Sequence, residues 1–492
     1  MPSILPRIKS PTVFDRKLRR GLLATLTLCA SVTMADAVAS SPVPSAGERG
    51  AEPQSKAGMD FTVLPDDEKQ ERSLRDNDYQ LDFAHPHECK VRGGINNTMA
   101  KLHAGEPVAV AYLGGSITQA EGGWRSRTTD WLRRRYPKAV IKEINAGLSG
   151  TGADLGVARL EKDVLAYRPD LLFVEFVVNG GDGGHKDGYL KGVEGIIRKT
   201  LKANPTTDIC FVYTVADWHL QGLLAEPPVL SSHVVTKEKL ADRYQIPTIN
   251  LGCQIAVLLK QERLAFKSAQ PVAGKVVFSS DGVHPNNDGA QLNAGAVVRA
   301  LLKMEAAAAP PEPKELPVPV DPENWENAKL VDLKDVKMKT EGDWQWYEMD
   351  PDAEGYSADF PEQGRNLERI KLHFPRLLGT KTPGSSLTVR FRGSVLGFFD
   401  VGGPFAGQVK VSVDGGDPFN VSRFQKYSSG LRHQYFLLPR MEEGIHSVKL
   451  TLDENPPDKS AASDFADDPG KYQRNEAYLG AILLEGELLS LE

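Results

Sequence analysis

The chain has 492 residues, of which 40% are apolar and 25% are charged, the composition of a soluble globular protein. That length exceeds what one hydrophobic core usually organises, so it favours two domains. The formal net charge of −6 at pH 7 argues against a nucleic-acid partner.

The first 39 residues have the pattern of a signal peptide. Basic residues within 16–20 precede the apolar run GLLATLTLCASVTMA, and small residues follow at 35–39. This order predicts cleavage and export to the periplasm or the exterior, and the alternative is an N-terminal membrane anchor. The segment carries six Lys/Arg and two Asp/Glu, so its removal changes the formal charge from −6 to −10. No later apolar run is long enough to cross a bilayer, so no integral membrane segment is expected after cleavage.

Residues 40–75 are rich in Ser, Pro, Glu and Asp and predict a disordered spacer. A domain is expected over 76–305, where apolar runs that suit buried strands alternate with amphipathic segments of helical period. The runs lie at 108–113, 139–145, 170–178, 208–215 and 247–251. Strands that alternate with helices indicate parallel βαβ units, so we predict a three-layer, flavodoxin-like α/β fold with strand order 2-1-3-4-5.

The pattern changes after a Pro-rich stretch at 306–324, which is typical of a semi-rigid linker. Over 325–492, apolar and polar residues alternate in runs such as LTVRF, and turn signals such as VDGGD separate the runs. This period of two predicts a C-terminal, jelly-roll-like all-β sandwich. Such an accessory domain either binds carbohydrate or forms one wall of a site in the first domain.

Cysteine usage argues against a disulfide scaffold and against a metal centre. Beyond the signal peptide only Cys89, Cys210 and Cys253 remain, and none has the spacing of metal ligands. The cysteines therefore predict no metal site.

Ser116 follows the first predicted strand on a tight turn. The strand ends at Leu113, and Gly114-Gly115 breaks it before the serine. A serine in this position is either an exposed nucleophile or an ordinary turn residue. As a nucleophile it needs a base that accepts its proton and donors that stabilise the developing oxyanion.

Residues at other strand ends meet these needs. Gly150 follows the second strand and Asn179 the third, and in the predicted order both ends lie beside the end of the first. The N–H groups of Ser116 and Gly150 and the amide of Asn179 could therefore form an oxyanion hole. Asp281 and His284 lie three residues apart in the turn SSDGVHPNNDG, a spacing that lets the carboxylate orient the imidazole.

Four blocks of sequence, GGSIT, NAGLSG, VEFVVN and DGVHP, resemble in this order the SGNH (GDSL-like) hydrolases. The resemblance implies that Ser116 is the nucleophile, with Asp281 and His284 as its triad partners. It also implies that Gly150 and Asn179 complete the oxyanion hole, and that esters are hydrolysed through an acyl-enzyme without metal or cofactor. The GGSIT form with an appended sandwich is similar to exported polysaccharide O-acetyl esterases.

The resemblance covers about residues 105–305 and has two departures. The first block reads GGSIT rather than GDS. The third block reads Asn179-Gly180 where the family usually has Asn-Asp. Because the asparagine is the donor, we expect activity to survive and the support of this loop to differ.

Three residues are candidates for substrate binding. Trp124 and Trp218 follow the first and fourth strands, and His219 follows Trp218. Aromatic faces beside an open crevice can stack on sugar rings, whereas core packing is the alternative for both tryptophans. A polar loop position is the alternative for His219. Tyr427, Tyr435 and Trp346 in the sandwich are further candidates for ring contacts, for which a structural role is the stronger alternative. His185 could line the site, but a flexible Gly-rich wall is the favoured interpretation of its loop.

We therefore predict a serine esterase that removes O-acetyl groups from a polysaccharide or oligosaccharide, as acetylxylan esterases do. The alternatives are a GDSL esterase of lipase or lysophospholipase type, a non-catalytic exported carbohydrate-binding protein, and acyl transfer to a sugar rather than to water. The intact Ser116, Asp281 and His284 argue against the binding protein, and Gly180 is the one feature in its favour.

Overall fold

In a computed structural model of the chain, residues 79–181, 184–349 and 365–491 are described. The predicted signal peptide at 1–39 and the predicted spacer at 40–75 lie outside these residues.

A six-stranded sheet forms the centre of the N-terminal part. Its strands are β1 (Cys89–Lys90), β2 (Val108–Gly114), β3 (Ile141–Gly147), β4 (Leu171–Val174), β5 (Asp208–Tyr213) and β6 (Thr248–Asn250). They are ordered β3-β2-β4-β5-β6-β1. The five predicted strands pair in parallel, which confirms the order 2-1-3-4-5. The antiparallel edge strand β1 was not predicted, because two residues leave no readable period.

Helices cover both faces of this sheet. They are α1 (Asn96–Ala104), α2 (Ser116–Gln119), α3 (Trp124–Arg135), α4 (Ala153–Asp163), α5 (Gly188–Ala203), α6 (Leu220–Leu224), α7 (Ser232–Tyr244), α8 (Gly252–Lys260) and α9 (Asn287–Ala306). Alternate residues of β2 face opposite ways, as strand geometry requires. Ala111 and Leu113 pack with α4, α5 and α7, whereas Val110 and Tyr112 pack with α1, α3 and α9. The predicted three-layer α/β fold is therefore confirmed.

The third predicted strand, 170–178, is too long. Strand β4 ends at Val174, and the chain then turns through Phe176 at a φ of +80°. This conformation turns the backbone out of the sheet, and a non-glycine residue rarely adopts it. The Phe176 ring is fully buried and packs against Gly156 of α4, where a Cβ would lie 2.8 Å from it.

A small parallel pair, β7 (Leu264–Lys267) and β8 (Val276–Ser279), was not predicted. Each strand has four residues, too few for a clear apolar pattern. Strand β8 leads into the loop that carries Asp281 and His284, and α9 follows that loop.

The C-terminal part is built from antiparallel strands. They are β9 (Lys329–Asp332), β10 (Lys339–Glu341), β11 (Gln345–Glu348), β12 (Arg376–Thr380), β13 (Ser386–Gly402), β14 (Gln408–Val413), β15 (Phe419–Ser422), β16 (Arg432–Leu437), β17 (Gly444–Leu452) and β18 (Ala477–Leu489). Every pairing among them is antiparallel, which confirms the predicted all-β class. The long strand β13 is the centre, because it pairs with β10, β16, β17 and β18. A helix, α10 (Arg365–His373), precedes β12.

Strand β13 divides its side chains between two cores. Phe398 faces the interior of the sandwich. Its neighbour Phe399, with Val401, faces a second cluster that includes Leu155 and Ala158 of α4. The sandwich therefore packs directly on the helix that follows Gly150.

The Pro-rich stretch is held along the α/β part. The Glu194 carboxylate on α5 accepts hydrogen bonds from the N–H groups of Val320 (2.6 Å) and Asp321 (2.8 Å). Arg198 on the same helix donates to the Pro317 carbonyl at 2.8 Å. These bonds fix the path of the chain from α9 to the sandwich.

Replacing Phe176 should reverse the usual order of alanine and glycine variants. Phe176→Ala should lower the free energy of unfolding by about 3–5 kcal/mol, because it empties a buried site. Phe176→Gly should be about 1 kcal/mol more stable than Phe176→Ala, since glycine adopts a positive φ without strain. Phe173, buried within β4, is the control, and there the glycine variant should be the less stable one. Urea unfolding of the four variants measures this, and the ordinary order at both positions would contradict strain at Phe176.

Candidate active site

Two glycines shape the turn that carries Ser116. A Cβ on Gly114 would collide with the side chain of Glu175, and a Cβ on Gly115 would collide with that of Asn179. The turn can therefore close only where both residues lack a side chain. Ser116 then begins α2 at the carboxyl edge of β2.

The predicted nucleophile, base and carboxylate form one hydrogen-bonded line. His284 Nε2 lies 2.8 Å from Ser116 Oγ, and His284 Nδ1 lies 2.7 Å from Asp281 Oδ2. The side chains of His284 and Asp281 are 52% and 51% exposed, so a substrate and water can reach the imidazole. This is the arrangement in which a histidine can take the proton of a serine hydroxyl.

The loop after β8 fixes the Asp281 carboxylate. Its Oδ1 accepts hydrogen bonds from the N–H groups of Val283 and His284, both at 2.8 Å, and from Ser279 Oγ at 2.9 Å. Partial burial disfavours the charge, but the bonds from His284, Val283 and Ser279 hold the pKa of Asp281 well below its usual range. The ionised Asp281 accepts the Nδ1 proton of His284, which leaves Nε2 as the acceptor for Ser116.

The three segments expected to form the oxyanion hole meet at the sheet edge. The Leu148 N–H donates to the Gly114 carbonyl at 2.9 Å, which ties the end of β3 to the serine turn. The Ala153 N–H donates to the Gly180 carbonyl at 2.8 Å, which ties the second block to the third. Gly150 lies between these ties and is exposed, with a φ of +73° that favours glycine.

Asn179 completes this grouping. Its side chain lies against Gly115, and its Oδ1 is buried without a hydrogen-bond partner among the described residues. Ser116, Gly150 and Asn179 are thus brought together from three loops, as the strand order predicts.

The structure explains why Gly180 stands where the family usually has aspartate. Gly180 has a φ of +61°, and a Cβ there would collide with the imidazole of His233. His233 Nδ1 donates to the Val177 carbonyl at 3.0 Å, so the ring lies over the Asn179 loop. His233 therefore occupies the space that an aspartate side chain at 180 would need. This role was not predicted, since His233 is 54 residues away from the third block.

Glu175 is the main site residue that the sequence analysis missed. It is fully buried, and its Oε2 accepts hydrogen bonds from the Gly115 N–H at 3.1 Å and from Thr118 Oγ1 at 3.2 Å. Its Oε1 accepts from the Val177 N–H at 3.2 Å and from Thr214 Oγ1 at 2.6 Å. One carboxylate therefore joins the serine turn to the asparagine loop. The available signal was a charged residue inside the apolar run DLLFVEFVV.

A buried lysine lies behind Glu175. Lys237 of α7 is fully buried and donates to the backbone carbonyls of Val174, at 3.0 Å, and Glu175. Burial lowers the pKa of Lys237 to about 7, and the Glu175 charge opposes this shift. Its ammonium also lies 4.9 Å from the centre of the Phe211 ring. The lysine thus holds the backbone at the point where β4 ends.

The two tryptophans expected to bind substrate differ in their exposure. Trp124 is 1% exposed and packs edge-on against Tyr112 and Phe173, so its prediction as a substrate contact is wrong. Trp124 is the first residue of α3, and its indole packs on the face of the sheet that α1 and α9 cover. Trp218 is 58% exposed and stands beside His219, with ring centres 5.6 Å apart.

The turn that carries Trp218 and His219 adjoins the triad loop. The Asp217 N–H donates to the Gly282 carbonyl at 2.8 Å. His219 Nδ1 accepts from the Ala216 N–H at 3.2 Å, and burial, with the nearby His233, lowers the pKa of His219. Trp218 thus lies, with its ring exposed, on a turn bonded to the loop that carries His284, whereas His219 stabilises its own turn.

His185 is a structural residue rather than part of a flexible wall. It is 7% exposed, its Nε2 donates to the Leu438 carbonyl at 2.8 Å, and its ring packs on Trp325. Tyr427 is 67% exposed on the loop that precedes β16.

Within the described ranges, no group of three or more His, Cys, Asp or Glu side chains is arranged to hold a metal ion. Cys89, Cys210 and Cys253 are buried and free. No helix in the same ranges has the length and apolar character needed to span a membrane.

Comparisons with known proteins agree with this architecture. Residues 112–292 match the model of the GDSL-like lipase/acylhydrolase family, which confirms the resemblance over that stretch. A search among curated proteins finds no match.

Solved structures extend the likeness to the sandwich. A two-domain esterase (CEX) active on acetylated mannans, co-crystallised with mannopentaose, is similar at 20% identity and a TM-score of 0.62. The match covers 84% of this chain and 99% of that chain. A second structure of that esterase gives the same identity and TM-score over 83% and 98%. At this identity the likeness establishes a shared two-domain fold.

Replacing Glu175 should impair catalysis without removing any group that touches substrate. In Glu175→Gln one acceptor oxygen becomes an NH₂ group facing bound donors, at a cost of about 1–3 kcal/mol. We expect kcat for p-nitrophenyl acetate to fall by about 5- to 100-fold, because the serine turn and the asparagine loop lose their common anchor.

Glu194→Gln is the matched control. Glu194 is also fully buried and accepts two backbone N–H bonds, but it serves the Pro-rich stretch. It should lower the melting temperature and leave kcat unchanged. Equal kcat values in Glu175→Gln and Glu194→Gln would show that Glu175 acts on stability alone.

Proposed function

We propose that this protein is a serine esterase that removes O-acetyl groups from an exported or extracellular carbohydrate. The observation that carries the proposal is the hydrogen-bonded line of Ser116, His284 and Asp281. It stands at the carboxyl edge of the sheet, where the segments of Gly150 and Asn179 adjoin it.

In the first half-reaction, Ser116 Oγ attacks the acetyl carbonyl carbon while His284 Nε2 takes the hydroxyl proton. Asp281 stabilises the imidazolium that forms. The negative charge on the carbonyl oxygen is met by the N–H groups of Ser116 and Gly150 and by the Asn179 amide. The bond to the sugar oxygen then breaks, and His284 returns its proton to that oxygen.

The second half-reaction releases acetate. Water attacks the acetyl carbon of the acyl-serine, and His284 takes one of its protons. The same donors stabilise the second oxyanion. The bond to Ser116 Oγ breaks, the serine recovers a proton from His284, and free acetate leaves.

Two observations support a carbohydrate substrate. Over 84% of this chain, the fold matches that of an esterase active on acetylated mannans, sandwich included. The exposed indole of Trp218 beside the triad loop offers the flat apolar face on which sugar rings stack. A predicted leader suits a substrate outside the cytoplasm.

A lipase-type esterase is the second candidate, favoured by one feature. Val229, Leu230 and Val235 are exposed apolar side chains that follow Trp218 in sequence. A series of p-nitrophenyl esters separates the two candidates. We expect acetyl esters to react fastest, and a steady rise in kcat/KM from acetyl to octanoyl would favour the lipase type.

Acetate release from polysaccharide tests the proposal. Wild type should release acetate from acetylated xylan or acetylated mannan, and Ser116→Ala should release none, because no other residue replaces the nucleophile. Activity on p-nitrophenyl acetate without release from either polymer would retain the esterase and reject these polymers. No activity on any of the three substrates would reject the esterase in favour of a binding protein.

Removing the Asn179 amide should lower kcat by about 10²–10³, the usual cost of losing one oxyanion donor. Because the amide acts on the transition state, the KM of Asn179→Ala should change little. Asn324→Ala is the control, since it makes the same change at a buried asparagine that lies in the Pro-rich stretch. An unchanged kcat in Asn179→Ala would remove this amide from the oxyanion hole.

A further inference from the structure

The sandwich brings a charged side chain to the loop that carries Gly150. Arg432, the first residue of β16, lies so close to Gly150 that a Cβ there would be 3.2 Å from its Nη2. The adjacent His433 donates from Nε2 to the Ser149 carbonyl at 2.9 Å. The start of β16 is therefore fixed relative to the loop that carries Gly150.

A second tie reinforces this docking. The Tyr435 hydroxyl donates to Asp154 Oδ1 at 2.7 Å and accepts the Gly152 N–H at 3.2 Å. Strand β16 thus contacts both ends of the loop from Ser149 to Asp154. Arg432 belongs to the edge of the sandwich that borders the candidate active site.

The guanidinium of Arg432 has no hydrogen-bond or ion-pair partner among the described residues, and its Nε is fully buried. Other buried arginines nearby are paired: Arg423 makes a bidentate bond with Asp400 at 2.7 and 2.8 Å, and Arg159 bonds Asp163 at 2.8 Å. Burial lowers the pKa of Arg432, with the nearby Tyr427 opposing the shift. A half-buried fork of five donors without an anion is costly unless a ligand supplies one.

We propose that Arg432 forms an anion subsite that binds a sugar carboxylate, so that the preferred substrate is an O-acetylated glycan containing uronic acid residues. The inference rests on the proposed esterase function and names its substrate class. A carboxylate matches the planar guanidinium with two parallel hydrogen bonds, whereas a neutral hydroxyl leaves the charge uncompensated.

The loop before β16 suits this ligand. Tyr427 is exposed and close to Arg432, and Lys426 lies 4.8 Å from the centre of the Tyr427 ring. A sugar ring on the tyrosine face would bring its carboxylate toward two cations. The sandwich would thereby select the acidic sugar, while the triad acts on the acetyl group of the same glycan.

A matched pair of polymers tests the subsite. One is chemically O-acetylated polygalacturonate, and the other is the same polymer with its carboxyl groups reduced and then acetylated to the same degree. Wild type should have a kcat/KM about 10-fold or more higher on the acidic polymer. Arg432→Gln should lose this preference, and added NaCl should weaken it in wild type.

Arg392→Gln is the control variant. Arg392 is an exposed arginine of β13, ten residues from the Gly402 that pairs with Arg432, which is roughly 33 Å of strand. It should keep the preference. Melting temperatures of both variants check that the sandwich remains folded.

Several outcomes would overturn the inference. The first is a wild-type kcat/KM on the neutral polymer that equals or exceeds the value on the acidic one. The second is a preference for the acidic polymer that persists in Arg432→Gln. The third is an equal loss of kcat/KM on both polymers in that variant. Hydrolysis of p-nitrophenyl acetate without release from either polymer would also overturn it and leave the esterase intact. Absence of all three activities would instead reject the proposed function.

Discussion

The site depends on the hydrogen bonds that the buried carboxylate of Glu175 accepts. This carboxylate binds the Gly115 N–H and the Val177 N–H at once, so it fixes the distance between the serine turn and the asparagine loop. Lys237 supports this arrangement by donating to the backbone carbonyls of Val174 and Glu175, where β4 ends. A buried ionised group is costly unless its bonds are complete, and here each oxygen accepts two.

The sequence predicts the parallel sheet and the triad because both depend on local patterns. Apolar runs and helical periods define the strand order, and that order alone places Ser116, Gly150 and Asn179 at one edge. Contacts between distant segments leave no such pattern. Nothing local shows that His233 fills the space beside Gly180, or that Trp124 turns inward while Trp218 stays exposed. Short elements such as β7 and β8 fail for a different reason, since four residues carry too little periodicity.

The sandwich and the α/β part form one packed body at the level of side chains. Leu155 and Ala158 of α4 share a cluster with Phe399 and Val401, and the β16 ties fix the loop around Gly150. Helix α4 therefore contacts the central sheet on one side and the sandwich on the other. The geometry of the loop around Gly150 therefore depends on both the α/β part and the sandwich.

The alternation of β13 between two cores has a consequence for how this protein can diversify. A domain tethered by a flexible linker can be lost or exchanged without harm to its neighbour, but removal of this sandwich would expose an apolar face of α4. Substitutions are better tolerated in the loop between β15 and β16, where residues 425–427 are exposed and belong to neither core. Under the proposed function, variation there would change substrate selection while the Ser116–His284–Asp281 line stays constant, as variable loops do on other rigid scaffolds.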